Sequence, residues 1–462
     1  MIRLIFHQIW NQRRQNLWIW LELAVLSAFL WTAIDPLFTM VCIKHIPKGF
    51  EYNKIYFVKP VYRFPHGNFT ARDANNFAAR MEHLFTQLEA YHMVDAVCLG
   101  DIGQIPGGYN WNCNTFYRTV SDAKTDAAKD WSERVLGSDA QFFEIPYITG
   151  LEKWIDVPYV LGLRDALSGT YVHAQPDAMA QRLTYMSAGM ARRLYGTPNV
   201  KDSTVLNGFP NADCVPSQQE IERDRMRKID AVYTDVKGRD YEVPFPTLFI
   251  VEDCNDKWIS QYGALIRLKD GVDGEKFMKD VQRDVLQNCC IDPILRFKVI
   301  SLKQKVDEDT ELVGANNVVR LQAALGFFGL LCVFLGVSGL FWVRCGERRQ
   351  DIGVMRSLGA TRRMANRQML LEGALLLSAA FLPAMMFVLW HVRTNGYDMG
   401  LTEEAVVWQG PDFYYWFNRP VPHILAVTLI TYALMLFITL LATWLPVHRA
   451  TRILPSDALR DE

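Results

Sequence analysis

Four long hydrophobic segments stand out against an otherwise mixed sequence. They cover approximately residues 17–41, 321–343, 369–392 and 424–447. Each is as long as the roughly 20 apolar residues that a helix needs to cross about 30 Å of hydrocarbon. Because lipid offers the backbone no hydrogen-bonding partner, a segment that crosses it must be helical. The pattern predicts a membrane α-helical protein with four transmembrane helices.

The stretch between the first two segments, residues 44–318, has the mixed patterning of a water-facing domain. Residues 54–61 alternate between polar and apolar positions, which predicts a strand. Apolar residues then recur at helical spacing from Phe77 to Tyr91, and residues 94–99 follow as a second predicted strand. The stretch is long enough to bury a core of its own.

The same order of elements recurs near the end of this stretch. Residues 262–268 alternate and predict a strand, and Phe277, Val281 and Val285 then share one face of a predicted helix. Residues 296–302 close the unit as another strand. Two strand–helix–strand units that flank a longer middle piece predict a large mixed α+β domain of two subdomains. The outer subdomain would be inserted between the halves of the inner one.

Arginine placement predicts which side of the membrane each connection occupies, because cytoplasmic loops are enriched in Lys and Arg. The N-terminus, the link after the second segment and the C-terminal tail carry these arginines: Arg3, Arg13, Arg14, Arg344, Arg348, Arg349, Arg356, Arg362, Arg363, Arg367, Arg449, Arg452 and Arg460. Both termini are therefore predicted to be cytoplasmic and residues 44–318 extracytoplasmic. The first segment has no small-residue cleavage site, so it is expected to remain as a membrane anchor.

The sequence contains no motif of enzymatic chemistry. GxSxG, HExxH and CxxC do not occur, and neither does the P-loop motif GxxxxGK[ST]. Carboxylates in apolar surroundings have no acid–base spacing, so capping or solvated roles are expected for Asp101, Asp156, Asp165, Glu252 and Asp253. The histidines are dispersed, and the net charge is −1. We expect no catalytic residue, no metal site, no cofactor bound by this chain and no nucleic-acid partner.

Three further groups of residues leave alternatives open. Disulfides and scattered buried thiols are equally compatible with the cysteines of the predicted external domain, Cys98, Cys113, Cys214, Cys254, Cys289 and Cys290. Core or loop packing is favoured over a ligand surface for the aromatic group Tyr109, Trp111, Phe116 and Tyr117. Functional and interfacial roles are equally compatible with the carboxylates in the hydrophobic segments, Glu22, Asp35 and Glu372.

The connection between the second and third hydrophobic segments contains a short amphipathic pattern. Ile352, Met355 and Leu358 fall on one face of a helix, and arginines occupy the rest. Gly359 suits the C-cap of this helix, and Thr361 suits the N-cap of the next. The residues alone leave two interpretations. One is a helix that rests on lipid headgroups, and the other is a helix that takes up force from a cytoplasmic partner.

Three parts of the sequence carry a family resemblance. The run Glu347…Asp351-Ile352-Gly353-Val354-Met355-Arg356…Gly359-Ala360 resembles the signature of the FtsX-like permeases, which are subunits of ABC transporters of the MacB type. The tail from Ala450 to Arg460 resembles the ending A-x-x-I-x-P-x-x-A-L-R of that family. Weaker motifs at residues 142–145 and 190–196 are similar to the MacB periplasmic core domain. The two cytoplasmic motifs are the specific ones.

The resemblance implies an organisation into three parts. Residues 1–43 would form the cytoplasmic N-terminus and first transmembrane helix, residues 44–318 the MacB-like periplasmic core domain, and residues 319–462 the FtsX-like permease domain. A coupling helix at residues 347–359 would seat on a cytoplasmic ABC ATPase. The resemblance assigns this coupling role to Glu347, Arg348, Asp351, Ile352, Gly353, Met355, Arg356, Leu358, Gly359 and Ala360. Asp351 stands where Glu is commoner in the family, which keeps the charge.

The resemblance also implies mechanotransmission and not catalysis. Such permeases pair with an identical or a sibling permease in the bacterial inner membrane. ATP bound and hydrolysed by separate ATPase chains would move the external domains through helical stalks, here residues 305–320. The expected task is efflux or export, with a periplasmic adaptor and an outer-membrane channel as further candidate partners. The alternatives are a lipoprotein-release permease, an FtsX-like regulator of cell-wall hydrolases and a ligand-binding membrane sensor.

Overall fold

The structure, a computed structural model, divides the chain into two compact units. One unit comprises residues 1–42, 316–400 and 414–462, and the other comprises residues 43–315 and 401–413. Within them the structure describes residues 13–62, 71–107, 112–129, 138–208, 217–253, 261–290, 295–312, 314–347, 354, 357, 359, 361–398 and 415–450. We call the first the helical unit and the second the sheet unit.

Ten strands lie in the described part of the sheet unit. In chain order they are β1 Ile55–Tyr62, β2 Val94–Asp101, β3 Asn112–Tyr117, β4 Ser138–Tyr147, β5 Leu183–Ser187, β6 Thr204–Asn207, β7 Met226–Tyr233, β8 Thr247–Asp253, β9 Tyr262–Leu268 and β10 Leu295–Ser301.

The helices are of two kinds, short ones between the strands and four long apolar ones. In chain order they are α1 Arg13–His45, α2 Ala71–Glu89, α3 Val120–Ala127, α4 Val157–Leu161, α5 Ala188–Tyr195, α6 Gln218–Glu220, α7 Gly274–Val281, α8 Gln287–Cys289, α9 Leu302–Leu312, α10 Ala315–Glu347, α11 Arg362–Asn395 and α12 Pro420–Ala450. Two π-helical turns, Ile221–Arg225 and Gln282–Leu286, follow α6 and α7.

The first sheet is antiparallel, with the strand order β10-β1-β9-β2. Phe77 and Phe85 of α2 and Phe277 of α7 are buried against it, together with Val58 and Ile266 of the sheet. Burial of an aromatic side chain of this size contributes about 1.5–3 kcal/mol. The predicted strands at 54–61, 94–99, 262–268 and 296–302 and both predicted helices are confirmed to within a few residues.

The second sheet is a closed barrel with the order β3-β4-β8-β5-β7-β6. All six strands lie between β2 and β9 in the sequence, so the chain leaves the first sheet, builds the barrel and returns. The pairs β4–β8 and β5–β7 are parallel, whereas the other pairs are antiparallel. Sequence patterning left these strands unassigned.

One hydrophobic core joins the two sheets. Phe57 and Leu265 of the first sheet belong to the same buried cluster as Phe143, Tyr185 and Phe249 of the barrel. Because this shared core removes apolar surface of both sheets from water, the two sheets form one compact unit.

A buried arginine reinforces this junction with polar contacts. The guanidinium of Arg267, on β9, lies 2.7 Å from a carboxylate oxygen of Glu51 and 3.3 Å from one of Asp95. It also donates hydrogen bonds to the carbonyl oxygen of Tyr159 at 3.2 Å and to the hydroxyl of Tyr171 at 3.1 Å. Arg267 therefore ties the first sheet to α4 and to the hairpin that follows it.

The four long helices match the four hydrophobic segments. The apolar stretches Leu17–His45, Ala315–Glu347, Arg362–Asn395 and Pro420–Arg449 are long and apolar enough to cross a membrane. Each extends a few residues beyond its predicted core at one or both ends. The predicted stalk at residues 305–320 is divided at Gly314, whose φ of +79° separates α9 from α10.

Candidate functional site

The segment between α10 and α11, residues 348–361, is described only at a few positions. Of the predicted coupling residues, Glu347 is the exposed last residue of α10, and Gly359 is also exposed. The other predicted coupling residues lie outside the described residues: Arg348, Asp351, Ile352, Gly353, Met355, Arg356, Leu358 and Ala360. Most of the family-like tail, from residue 451, also lies outside. The coupling role of these residues therefore stays a prediction.

The described positions show how the segment ends. Gly359 has a φ of +97°, a left-handed conformation that glycine adopts without a Cβ penalty at a helix C-terminus. Thr361 is the N-cap of α11, and its hydroxyl accepts a hydrogen bond from the backbone N–H of Met364 at 3.3 Å. The cap predicted at Thr361 is confirmed. Gly359 thus lies in a turn two residues before the N-cap of α11.

A buried ion pair links the two helices on either side of the segment. Nη1 of Arg344, near the end of α10, lies 2.9 Å from Oε1 of Glu372 on α11. Arg344 is 5% exposed and Glu372 1% exposed. Removing one partner of such a buried pair typically costs about 3–5 kcal/mol, because the other charge is left without compensation. Sequence patterning singled out Glu372 but counted Arg344 only as a flanking cytoplasmic charge.

Close packing surrounds this pair on three helices. Sγ of Cys345 lies 3.9 Å from Sδ of Met369, which brings α10 and α11 together. A Cβ at Gly373 would lie 3.4 Å from the ring of Phe341 on α10 and 3.0 Å from the hydroxyl of Thr443 on α12. Side chains of α10, α11 and α12 therefore pack closely around the ion pair.

A second buried polar cluster connects α1, α12 and the residues after α11. Nε2 of His423, a fully buried side chain, lies 2.6 Å from Oδ1 of Asp35. The other oxygen of Asp35 accepts a hydrogen bond from the backbone N–H of Asp398 at 3.1 Å. Nδ1 of His423 lies 2.7 Å from the carbonyl oxygen of Phe417, and the ring of Tyr397 packs on the imidazole. Sequence patterning found Asp35 and missed His423.

Glu22, the third carboxylate of the hydrophobic segments, lies on α1 against α10. A Cβ added at Gly336 would collide with its carboxylate, so the glycine provides the space that this side chain occupies. Gly336 therefore permits close helix approach within the chain. Nothing lies within 4 Å of a Cβ built at Gly339.

The carboxylates of the sheet unit hold local structure. Asp156 is the N-cap of α4 and accepts hydrogen bonds from the backbone N–H groups of Tyr159 and Ala174. Asp165 accepts from two backbone N–H groups in its turn, and Asp101 accepts from the backbone N–H of Gly103. Burial raises the pKa of Asp101 above its usual value. The expected capping role is confirmed for Asp156, whereas Asp101 and Asp165 stabilise turns.

The remaining candidate groups are also accounted for where the structure describes them. Phe116 and Tyr117 are buried in the strand β3, as core packing predicts. Among the described cysteines, these five are free thiols: Cys42, Cys98, Cys289, Cys290 and Cys332. A search of the described residues finds no group of three or more His, Cys, Asp or Glu side chains able to hold a metal ion.

Lys237 is a buried cation that sequence patterning missed. Its side chain is 2% exposed, and Nζ donates a hydrogen bond to the carbonyl oxygen of Ile43 at 2.5 Å. Ile43 belongs to the last turn of α1, whose carbonyl groups have no partners within the helix. Burial lowers the pKa of Lys237 to about 8. Lys237 thus caps the C-terminus of α1.

Comparison with solved structures finds likeness to external domains of transport proteins. The periplasmic region of MacB from Actinobacillus actinomycetemcomitans is 9% identical, with a TM-score of 0.29, over 58% of this chain and 98% of that one. The extracellular domain of YknZ, described as a noncanonic ABC-type transporter from Gram-positive bacteria, is 10% identical, with a TM-score of 0.27, over 53% and 99%. TM-scores this low do not by themselves establish a shared fold.

Comparison with protein families gives a match in the C-terminal part of the chain. No curated protein matches the sequence. The family described as "FtsX-like permease C-terminal" matches residues 323–455, which include most of α10, the segment that follows it, α11 and α12. The resemblance to the FtsX-like permeases is therefore confirmed: residues 323–455 of this chain match the FtsX-like permease C-terminal family.

Proposed function

We propose that this chain is the permease subunit of an ABC transporter of the MacB type. It would couple ATP hydrolysis by a separate cytoplasmic ATPase to motion of its own external domain, residues 44–318, for efflux or export. The observation that carries the proposal is the position of residues 347–361. They resemble the family signature, join two long apolar helices and lie inside the FtsX-like match.

The described geometry supports a force-transmitting role for that segment. At the end of the segment, Gly359 has a positive φ and Thr361 caps the N-terminus of α11. The ion pair between Arg344 and Glu372 holds α10 to α11 close to the segment. A displacement of the segment would therefore act on both helices over a short distance. The predicted contact face, Ile352, Met355 and Leu358, would supply the apolar surface that an ATPase covers.

The order of the chain supports transmission towards the sheet unit. α9 ends at Leu312 and α10 begins at Ala315, so only two residues separate the sheet unit from a long apolar helix. At the other connection, Lys237 caps the last turn of α1 from within the sheet unit. In the proposed mechanism, motion of α10 and α1 would reach the external domain through these connections.

Topology and assembly complete the proposal. Both termini would be cytoplasmic, the sheet unit would be periplasmic, and its first sheet and barrel would be the two subdomains. The chain would sit in a bacterial inner membrane and pair with a second permease, identical or related. The arginine-rich segment between α10 and α11 would then face the ATPase, as the positive-inside rule favours.

The test is purification of the tagged full-length protein in mild detergent, followed by mass spectrometry of the proteins that come with it. A cytoplasmic ABC ATPase together with a periplasmic adaptor or outer-membrane channel is the expected result. A lipoprotein chaperone would redirect the proposal to lipoprotein release, and a cell-wall hydrolase would redirect it to regulation. If no ATPase accompanies the protein while other membrane complexes stay intact, the coupling proposal is wrong.

A further inference from the structure

The Arg344–Glu372 pair lies on both sides of the segment that would receive force. Arg344 precedes the end of α10 by three residues, and Glu372 lies ten residues into α11, so the chain between them contains the whole of residues 347–361. The ion pair therefore joins the two helices that flank the segment. A force on the segment would reach the pair through the end of α10 and through the start of α11.

Burial makes this contact selective for one arrangement of the helices. The Glu372 side chain is 1% exposed and that of Arg344 6%, so neither charge has access to water. If α10 and α11 slid or separated here, both charges would lose their partner in a medium of low dielectric. A helix pair joined only by apolar contacts can slip with a smaller penalty, because apolar contacts are not directional.

The neighbouring contacts are consistent with a fixed joint. The sulfur atoms of Cys345 and Met369 lie 3.9 Å apart. Cys345 follows Arg344 directly on α10, and Met369 lies three residues before Glu372 on α11. The guanidinium of Arg344 also lies 5.6 Å from the ring of Phe341. Gly373, next to Glu372, is packed between that ring and Thr443. Polar and apolar contacts thus hold the same few residues of α10 and α11 in place.

We propose that Arg344 and Glu372 are positioning residues that make α10 and α11 move as one body when the coupling segment is displaced. This inference rests on the proposed function. Without the pair, displacement of the segment would change the angle or register of the two helices relative to each other. The displacement would then change only the packing of α10 against α11 and would not move α10 as a whole.

The first test replaces both charges with apolar side chains of similar length, in the variant Arg344→Met/Glu372→Met. Such a replacement removes both members of the ion pair together and keeps side chains of similar length in place, so insertion and ATPase binding should match the wild type. The readout is the ATP-dependent change in hydrogen exchange over residues 43–315 in the purified complex with its ATPase. We expect that change to be lost in the variant, while ATP hydrolysis by the complex continues.

A crosslink separates a positioning role from a merely stabilising one. In a background where Cys345 is the only cysteine, Met369→Cys places a second thiol beside it, and oxidation or a short thiol crosslinker joins α10 to α11. The crosslink should leave the ATP-dependent exchange change intact when the ion pair is present. In the Arg344→Met/Glu372→Met background, the same crosslink should restore it.

The outcomes are distinguishable. A wild-type complex that binds an ATPase but shows no ATP-dependent change over residues 43–315 contradicts the proposed function itself, and the inference with it. A responsive wild type combined with a fully responsive double-methionine variant contradicts only the inference. Loss of the response on crosslinking the intact pair also contradicts it, because α10 and α11 would then need to separate. This last measurement leaves the pair unaltered, so it holds even if the double-methionine variant does not fold.

Discussion

Asp35 and His423 form a buried carboxylate–imidazole contact of 2.6 Å between α1 and α12. The opposite ring nitrogen of His423 faces the carbonyl oxygen of Phe417 at 2.7 Å. The imidazole therefore lies between two oxygen atoms, one on α1 and one in the residues just before α12. Through the backbone N–H of Asp398, the same carboxylate also holds the residues that follow α11.

Asp35→Leu should destabilise the protein by about 1–3 kcal/mol, because it leaves a buried ring nitrogen of His423 without its hydrogen-bond partner. Thermal unfolding in detergent measures the effect. The matched control is Thr39→Val, which removes one neutral hydrogen bond, from the Thr39 hydroxyl to the carbonyl oxygen of Asp398. That control should cost about 1 kcal/mol. Equal melting temperatures for the two variants would show that the Asp35–His423 pair contributes nothing beyond an ordinary hydrogen bond.

Met355→Asp/Leu358→Asp should abolish ATPase binding and leave membrane insertion intact, because the predicted apolar contact face would carry two charges. Co-purification of the ATPase with the tagged variant is the measurement. Ser357→Asp is a suitable control, since Ser357 is exposed on the same segment but lies outside the predicted face. An ATPase yield equal to the wild type with the double variant would exclude this face as the docking surface.

The lowered pKa of Lys237 predicts that the stability of the protein changes with pH in the alkaline range. Its pKa is about 8 in the folded protein, against an ordinary value of 10.5, because burial disfavours the charged form. Between these values the unfolded chain binds more protons than the folded one, so the free energy of unfolding should rise with pH. Below pH 8 the Lys237 amine should make no pH-dependent contribution to the free energy of unfolding.

The measurement compares melting temperatures of the wild type and Lys237→Met between pH 7 and pH 10.5. Only the wild type should gain stability from this group as the pH rises, so the difference between the two curves isolates Lys237. Both amine forms can donate to the carbonyl oxygen of Ile43, so the hydrogen bond itself survives the titration. A constant difference across the range would mean that Lys237 keeps its ordinary pKa.

Labelling of single cysteines tests the proposed topology. In a background without other cysteines, Lys201→Cys places an exposed thiol on the sheet unit, and a membrane-impermeant maleimide should label it from the periplasmic side. Glu347→Cys in a background without other cysteines places an exposed thiol at the end of α10, and it should react only after the inner membrane is opened. Labelling of residue 347 from outside intact inner membranes would reverse the proposed orientation.

Arg267→Met should loosen the contact between the first sheet and α4. It removes the cation that Glu51 and Asp95 share, which we expect to cost about 1–3 kcal/mol, because both carboxylates remain partly accessible to water. Arg283→Met is the control, because Arg283 pairs with Asp280 and Asp284 on the surface and should have no measurable effect. Hydrogen exchange over β9 and α4 locates the change. Protection equal to that of the wild type in both elements would contradict a joining role for Arg267.

The sequence pattern was sufficient to predict an element where its apolar residues follow a clear helical or strand period. The long apolar segments, the alternation at 262–268 and the helical spacing of Phe77 and Phe277 each have an uninterrupted signal, and the structure has the corresponding elements. The barrel strands escaped prediction because many of their residues are buried on both faces. β5, for example, is buried at every position from Leu183 to Ser187 and therefore shows no alternation.

The same distinction applies to the candidate site. The sequence by itself determined the four apolar helices, the amphipathic segment after α10, its family resemblance and the cap at Thr361, because each depends on residues close together in the chain. Tertiary structure alone decided that Arg344 meets Glu372, that Asp35 meets His423 and that Lys237 reaches Ile43. Those contacts join residues separated by 28 to 388 positions. A charge in the sequence has no partner until folding brings one to it and removes the water between them.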